Sequence, residues 1–193
     1  MAPAQEGTLG IFVGGKSRRM GGSPKGLLLA PDGLQTLLAR TVQLASALGL
    51  RAVLVGDAQP YDRLLPTLAR VADAPPGIGP LGGLRGLLQT VQAGPVLAVA
   101  CDMPYLSEVL LGRLLREQPA TSVLAARGSS GLWEPLCARY RSEHVLPLLD
   151  VAIDAGVRSF QALFRTLQVG ELALSASELA QLRDWDAPAD LDQ

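Results

Sequence analysis

Residues 9–25 of the sequence read LGIFVGGKSRRMGGSPK, and this stretch decides the fold. Its apolar run at 9–13 is too short for a helix and ends at a glycine pair, which predicts a buried β-strand. The loop at 14–24 contains four glycines, whose backbone N–H groups can approach phosphate oxygens closely. We therefore expect a strand–loop–helix unit that binds phosphate. The alternative is an ordinary flexible basic loop.

The basic residues of this stretch separate it from the rest of the chain. Of the 17 Lys and Arg residues, only Lys16 and Lys25 are lysines, and both lie here. Lysine is a compact charge on a flexible stem, which suits it to phosphate. The spacing matches neither the GxxxxGK[ST] loop of P-loop proteins nor the GxGxxG of dinucleotide-binding proteins.

Outward from this stretch, strands and helices alternate. Strands are predicted at 52–55, 70–72, 95–100, 122–126 and 136–140. Helices are predicted at 34–48, 61–69, 84–92, 107–117, 144–155 and 159–167, with a Gly/Pro-rich loop at 73–83 and a short final helix at 187–191. This alternation indicates an α/β fold with a mostly parallel sheet covered on both faces.

Composition and charge narrow the function classes. A chain of 193 residues suits one domain, 1–193, and 48% apolar residues argue against disorder. A net charge of −1 gives no general attraction to nucleic acid or to an anionic membrane. Two cysteines without metal-ligand spacing, and no visible signal or spanning segment, favour a cytoplasmic enzyme.

Two acidic residues follow predicted strands and are candidate ligands. Asp102 comes directly after the apolar run 95–100, where the carboxyl end of a strand meets the ligand crevice of an α/β sheet. Mg²⁺ typically takes one or two carboxylates together with substrate phosphates. Asp73 opens the loop 73–83, which is longer than most connections. Each acid could instead be an ordinary turn residue.

Together these motifs resemble the molybdenum cofactor guanylyltransferase family. The resemblance rests on GGKSRRMGGSPK at 14–25, on GPLGG at 79–83 and on DMP at 102–104. Weaker likeness continues through WEPL at 133–136 and DAPADL at 186–191. It implies a Rossmann-like, three-layer α/β/α nucleotidyltransferase fold that moves a guanylyl group from GTP to molybdenum–molybdopterin and releases pyrophosphate.

The resemblance also implies site residues. The backbone of Phe12, Val13 and Gly14 would read the guanine, beside Gly15, and Gly56 lies where an Asn that contacts GTP is often found. Asp73 would help to hold the nucleotide, and Lys25 would contact the phosphates. Asp102 would bind Mg²⁺, and Asp186 would be a second metal ligand. The catalytic set implied is Arg19, Lys25 and Asp102.

The sequence departs from the family pattern at three positions. Gly56 lacks the Asn side chain, Asp186 replaces an Asn, and Val13, which replaces an Ala, is expected to face the base-binding turn. The alternatives left open are a cytidylyl- or sugar-phosphate nucleotidyltransferase of the same superfamily, and a homologue that binds a nucleotide or cofactor without catalysis.

The remaining expectations concern organisation and single residues. Residues 7–106 should bind the nucleotide and residues 107–193 a molybdopterin-type acceptor, in a monomer or weak oligomer that contacts cofactor-delivery proteins transiently. Cys101 is interpreted as a buried strand residue and His144 as part of a solvated helix face. Trp185 is interpreted as a packing residue, whereas Trp133 could either pack or line the acceptor pocket.

Overall fold

Seven strands form one mixed sheet in the computed structural model, which describes residues 7–13, 24–91 and 94–185. The strands are β1 (Thr8–Phe12), β2 (Arg51–Val55), β3 (Ala69–Val71), β4 (Pro95–Ala100), β5 (Val123–Arg127), β6 (Trp133–Arg141) and β7 (Val169–Glu171). Their order across the sheet is β3-β2-β1-β4-β6-β5-β7. Only β6 runs antiparallel to its neighbours, β4 and β5, so the prediction of a mostly parallel sheet is confirmed.

Helices cover both faces of the sheet. They are α1 (Leu37–Ala47), α2 (Pro80–Thr90), α3 (Glu108–Arg116), α4 (Ser142–Asp154), α5 (Phe160–Phe164) and α6 (Ala176–Leu179). Alternate residues of one strand point to opposite faces. Accordingly Leu97 and Val99 of β4 pack with α1 and α3, whereas Val96 and Ala98 pack with α2, α4 and α5. The α/β/α layering is therefore confirmed.

Some helix boundaries differ from the sequence-based prediction. The helix predicted at 61–69 is wrong: a 3-10 turn, Gln59–Tyr61, is followed by non-helical turns. Pro66 lacks an N–H and disfavours helical geometry at the residue before it, which explains the interruption. The structure also adds β7 and α6, which were not predicted. The helix predicted at 187–191 lies outside the described residues.

Helix α2 begins at Pro80, earlier than the start predicted at 84. The prediction was late because glycines are typical of loops. Pro is favourable at the first position of a helix. A Cβ atom on Gly82 would lie 2.6 Å from the Pro75 carbonyl oxygen, and one on Gly86 would lie 2.3 Å from the Ala72 carbonyl oxygen. These glycines let the start of α2 lie directly on the chain that follows β3.

No helix in the described ranges is long and apolar enough to cross a bilayer.

A buried arginine joins the sheet to the end of α3. Arg139 of β6 is 2% exposed, and its guanidinium donates to five carbonyl oxygens between residues 114 and 121. Three of these carbonyls, on Leu114, Leu115 and Glu117, belong to the end of α3, where helix carbonyls lack partners within the helix. The charge also interacts favourably with the negative end of the helix dipole.

We expect Arg139→Met to lower the free energy of unfolding by at least about 3 kcal/mol, because several buried carbonyl oxygens lose their donors. Arg158→Met is the matched control, since the exposed Arg158 also donates to carbonyls at a helix end, those of Ile153 and Val157. The free energy of unfolding of Arg158→Met should fall by less than about 1 kcal/mol. Urea unfolding of both variants measures the difference, and equal losses would contradict this role for Arg139.

Candidate active site

The candidate site lies at the carboxyl edge of the parallel strands. Strand β1 pairs in parallel with both β2 and β4, so that Phe12 lies opposite both Val55 and Ala100. The chain crosses to β2 on one side and to β4 on the other, which makes this edge a topological switch point. Ligands of open α/β sheets bind in the crevice at such points.

Backbone hydrogen bonds continue the ladder one residue beyond the strands. The Val13 N–H donates to the Val55 carbonyl at 3.1 Å, and the Cys101 N–H donates to the Phe12 carbonyl at 3.1 Å. The Gly56 N–H donates to the Val71 carbonyl at 3.0 Å. The loops that carry the predicted residues therefore start side by side at one edge.

Lys25 and Asp102 form an ion pair at this edge. The Lys25 ammonium donates to Asp102 Oδ2 at 2.7 Å, although 77 residues separate the two in sequence. Both side chains are largely buried, at 15% and 18% exposure, so the pair is less screened by water than a surface pair. Lys25 starts a 3-10 turn, Lys25–Leu27, that follows Pro24. The structure therefore brings together the predicted phosphate-binding lysine and the predicted metal-binding carboxylate.

Asp73 lies beneath the first turn of α2. The Ala74 N–H donates to the Gly82 carbonyl at 2.9 Å, which holds the loop against the helix. A Cβ atom on Gly83 would lie 3.2 Å from Asp73 Oδ1, so the glycine leaves room for the carboxylate. Burial raises the pKa of Asp73. The predicted loop after β3 thus places a half-buried acid close to a helix N-terminus.

The side chains of Phe12 and Val13 point into the core. Each is 8% exposed; Val13 packs with the α1 side of the sheet and Phe12 with the α2 side. The expectation that Val13 turns its bulk towards a base is therefore wrong. Alternation along the strand directs the two side chains into opposite layers. The Phe12 carbonyl and the Val13 N–H each form a hydrogen bond of the ladder, and the predicted backbone contact with a base stays a prediction.

Gly56 has a backbone conformation that favours glycine. Its φ is +97°, in the region that side-chain-bearing residues rarely adopt. Asn is one of the few other residues that tolerate positive φ. The backbone at the end of β2 therefore accounts for the glycine of this chain at position 56.

Cys101 and Tyr61 are buried against the ion pair from below. Burial first, and then the nearby Asp102 charge, raise the pKa of the Cys101 thiol to about 12. Burial also raises the pKa of Tyr61 well above its ordinary value. Both groups therefore stay protonated near neutral pH, and the interpretation of Cys101 as a buried strand residue agrees with its 6% exposure.

The C-terminal segment, residues 172–185, runs back over α3 to the site. Its helix α6 is held by Arg113, whose guanidinium bonds Glu178 at 2.5 Å, and the Gln181 side chain accepts from the Ser107 N–H at 3.0 Å. The segment then reaches Asp102, whose carbonyl accepts from the Trp185 N–H at 2.9 Å.

The Trp185 ring is 5% exposed and packs with Leu28, Ala30 and Leu37, which confirms its predicted packing role. It also lies edge-on to Tyr105, at 6.3 Å between ring centroids.

The WEPL segment begins β6. Because β6 runs antiparallel to β4, with Cys137 opposite Val99, the segment lies at the carboxyl edge of the parallel strands. Arg127 lies 3.8 Å over the ring of Trp133, which also packs edge-on against Phe164. Burial and then the neighbouring Asp184 raise the pKa of Glu134. His144 is exposed on α4, as predicted.

Four predicted site residues lie outside the described residues: Gly14, Gly15, Arg19 and Asp186. Conversely, Tyr61 was not predicted as a site residue, because it was predicted to start a helix. The C-terminal segment 172–185 was not predicted either, although Ser175 and Glu178 form a capping box with the S-x-x-E spacing. That spacing is a readable helix signal.

Comparison with known proteins identifies close likenesses. Residues 10–171 match the model of the MobA-like NTP transferase domain. The chain is 33% identical over 181 residues to a molybdenum cofactor guanylyltransferase from Xanthomonas euvesicatoria, which covers 92% of this chain and 88% of that protein. It is 35% identical over 167 residues to a probable molybdenum cofactor guanylyltransferase from Chloroflexus aggregans, covering 85% and 76% of the two chains.

Solved structures share the fold. The molybdopterin-guanine dinucleotide biosynthesis protein A from Archaeoglobus fulgidus superposes with a TM-score of 0.77 at 22% identity, over 96% of this chain and 95% of that chain. A 2-C-methyl-D-erythritol 4-phosphate cytidylyltransferase from Thermus thermophilus gives a TM-score of 0.65 at 17% identity, over 95% and 94%. At such identities the likeness concerns the fold alone.

We expect Glu178→Gln to destabilise the protein at neutral pH but not in strong acid. Hydrogen bonds from the Ser175 N–H, Arg113 and the Ser175 hydroxyl lower the pKa of Glu178 from 4.5 to about 2. A folded-state pKa below the unfolded one stabilises the fold above the unfolded value, and this stabilisation is lost as pH falls from 4.5 towards 2.

Urea unfolding at several pH values tests this expectation. The difference in free energy of unfolding between wild type and Glu178→Gln should disappear as the pH falls from 4.5 towards 2. The control is Glu117→Gln, which removes the other carboxylate that accepts from Arg113 and leaves the C-terminal segment's own contacts intact. A difference in free energy of unfolding that does not change with pH would refute this stabilising role of the Glu178 carboxylate.

Proposed function

The chain belongs to the MobA-like NTP transferase family, and from that membership we propose that it transfers a guanylyl group from GTP to molybdenum–molybdopterin. The products are the guanine dinucleotide form of the cofactor and pyrophosphate. The observation that carries the proposal is the Lys25–Asp102 pair at the switch point, directly beside the end of the glycine-rich stretch. This pairing offers one group for a phosphate and one for a metal in the same place.

Asp102 fits the proposed Mg²⁺ site. Mg²⁺ is usually held by one or two carboxylates together with substrate phosphates and water. Across the described residues, no group of three or more His, Cys, Asp or Glu side chains is clustered as metal ligands. Asp186 follows Trp185, whose N–H bonds the Asp102 carbonyl, and on that ground we propose it as the second ligand. When bound, Mg²⁺ would supply Lewis-acid polarisation of the triphosphate.

The remaining groups position the substrates. A phosphate oxygen of the acceptor attacks the α-phosphorus of GTP in line, and pyrophosphate leaves. Such transfers need mainly positioning and charge stabilisation from the protein. Lys25 and Arg19 are proposed to stabilise charge on the α-phosphate and the leaving group.

The nucleotide would lie along the carboxyl edge. We propose that the backbone of residues 12–15 and Gly56 contacts the guanosine, and that Asp73 holds the nucleotide from beneath α2. Residues 7–106 would thus bind GTP and residues 107–193 the acceptor. Both cysteines are buried and unpaired, which supports a reducing, cytoplasmic setting. The predicted oligomeric state and delivery partners stay predictions.

Nucleotide preference is the first test of this function. Calorimetry with GTP, CTP and ATP in the presence of Mg²⁺ should show clear preference for GTP. Preference for CTP would move the function to a cytidylyltransferase of the same fold. Binding of GTP without pyrophosphate release in the presence of molybdenum–molybdopterin would indicate a non-catalytic binding protein.

Asp102→Ala should abolish turnover more completely than it weakens GTP binding, because the carboxylate acts on the metal and not on the base. The control is Asp150→Ala, which breaks the Arg85–Asp150 pair of 2.6 Å between α2 and α4 on the other side of the sheet. Pyrophosphate release measures turnover and calorimetry measures binding. Wild-type turnover by Asp102→Ala at saturating Mg²⁺ would exclude the metal role.

Lys25→Ala should lower kcat/KM by roughly 10²- to 10³-fold, comparable to the loss of one donor that stabilises transition-state charge. Lys25→Arg should recover part of this loss, because the positive charge remains while its geometry changes. Steady-state pyrophosphate release with both variants measures the effect, and an unchanged kcat/KM for Lys25→Ala would refute the role.

A further inference from the structure

Tyr61 is buried between the two chain segments that carry the ion pair. Its side chain is 1% exposed and closes the 3-10 turn Gln59–Tyr61 after β2. Its backbone is held at both ends, since the Tyr61 N–H donates to the Ala58 carbonyl and the Leu64 and Leu65 N–H groups donate to the Tyr61 carbonyl. The ring therefore has a fixed position beneath the site.

One contact joins Tyr61 to the segment of Lys25. The N–H of Gly26, the residue after Lys25, donates to the Tyr61 hydroxyl at 3.4 Å. A Cβ atom on Gly26 would lie 2.8 Å from Tyr61 Cε1 and 3.2 Å from the hydroxyl oxygen. The turn that carries Lys25 thus rests directly on the phenol, and glycine permits that approach.

A second contact joins Tyr61 to the segment of Asp102. Tyr61 and Cys101, the residue before Asp102, belong to the same buried cluster, and each is close enough to affect the pKa of the other. The Cys101 N–H is tied in turn to the Phe12 carbonyl of β1. One buried side chain is therefore packed with the chain neighbours of both Lys25 and Asp102.

We infer that Tyr61 is a positioning residue that sets the separation of Lys25 and Asp102, through the hydrogen bond that its hydroxyl accepts from Gly26 and its place beside Cys101 in the same buried cluster. The expected effect of Tyr61 on turnover rests on the proposed function, whereas its expected effect on the geometry of the ion pair does not. A phenyl ring would fill nearly the same volume in the core. Removing the hydroxyl alone therefore tests whether its hydrogen bond with the Gly26 N–H positions the ion pair.

Tyr61→Phe tests this role, with Tyr140→Phe as a matched control. Tyr140 is also fully buried, and its hydroxyl donates to the Pro135 carbonyl at 2.8 Å, in the opposite layer of the core. Each variant loses one buried tyrosine hydroxyl. Only Tyr61→Phe should lower kcat, by roughly 10- to 100-fold as expected for a small misplacement of reacting groups, with little change in KM for GTP.

The second measurement reads the ion pair directly. Lys25 is one of only two lysines in the chain, so reductive ¹³C-methylation labels very few sites and keeps the charge. Lys25→Arg assigns its NMR signal, and Asp102→Asn marks where the signal lies when the pair is broken. Tyr61→Phe should move the signal towards that position, whereas Tyr140→Phe should leave it in place.

The outcomes separate this inference from the proposed function. An unchanged Lys25 signal in Tyr61→Phe, or an unchanged kcat, overturns the positioning role. A shifted signal with reduced kcat, absent from Tyr140→Phe, supports it. If the wild-type protein releases no pyrophosphate from GTP and acceptor, the proposed function fails, and the Lys25 signal alone then decides about Tyr61.

Discussion

Strand β1 is hydrogen-bonded in parallel along both of its edges, and the candidate site depends on this pairing. Because Phe12 lies opposite both Val55 and Ala100, the loops after three strands begin at the same height. The ladder extends one residue further, through Val13 and Cys101. Without this common register, groups from distant parts of the sequence would not meet at one edge of the sheet.

Two aromatic residues from other parts of the chain, Tyr61 and Trp185, contact the segments that carry the ion pair. Tyr61 supports the Lys25 turn and Cys101 from the core side. Trp185 packs on the chain that follows Lys25, and its N–H bonds the Asp102 carbonyl. The charged groups are thus held by neighbours whose own positions are determined by packing, and such pre-organisation is what charge stabilisation in catalysis requires.

Much of this arrangement could be predicted from local patterns. Short apolar runs with defined ends marked β1, β2 and β4, and the acid after β4 marked the site. The helix predicted at 61–69 is wrong because Pro66 interrupts helical geometry in the middle of this range. The expectation that the Val13 side chain faces a base is wrong because side chains alternate along a strand, and this alternation directs Val13 into the core. The contacts of Tyr61 and Trp185 depend on tertiary packing between distant segments, for which a single sequence carries no local signal.

The path of residues 172–185 has a consequence for the order in which the protein is made. All seven strands precede this segment in the sequence, so the strands are synthesised before the segment that reaches the site. A chain interrupted after β7 would keep the strands that carry the edge but would lack the Trp185 contact with Asp102. The described part of the site is therefore completed by the last of the described segments to be synthesised. A chain that lacks this segment would expose the carboxyl edge of the sheet without the contact that Trp185 makes there.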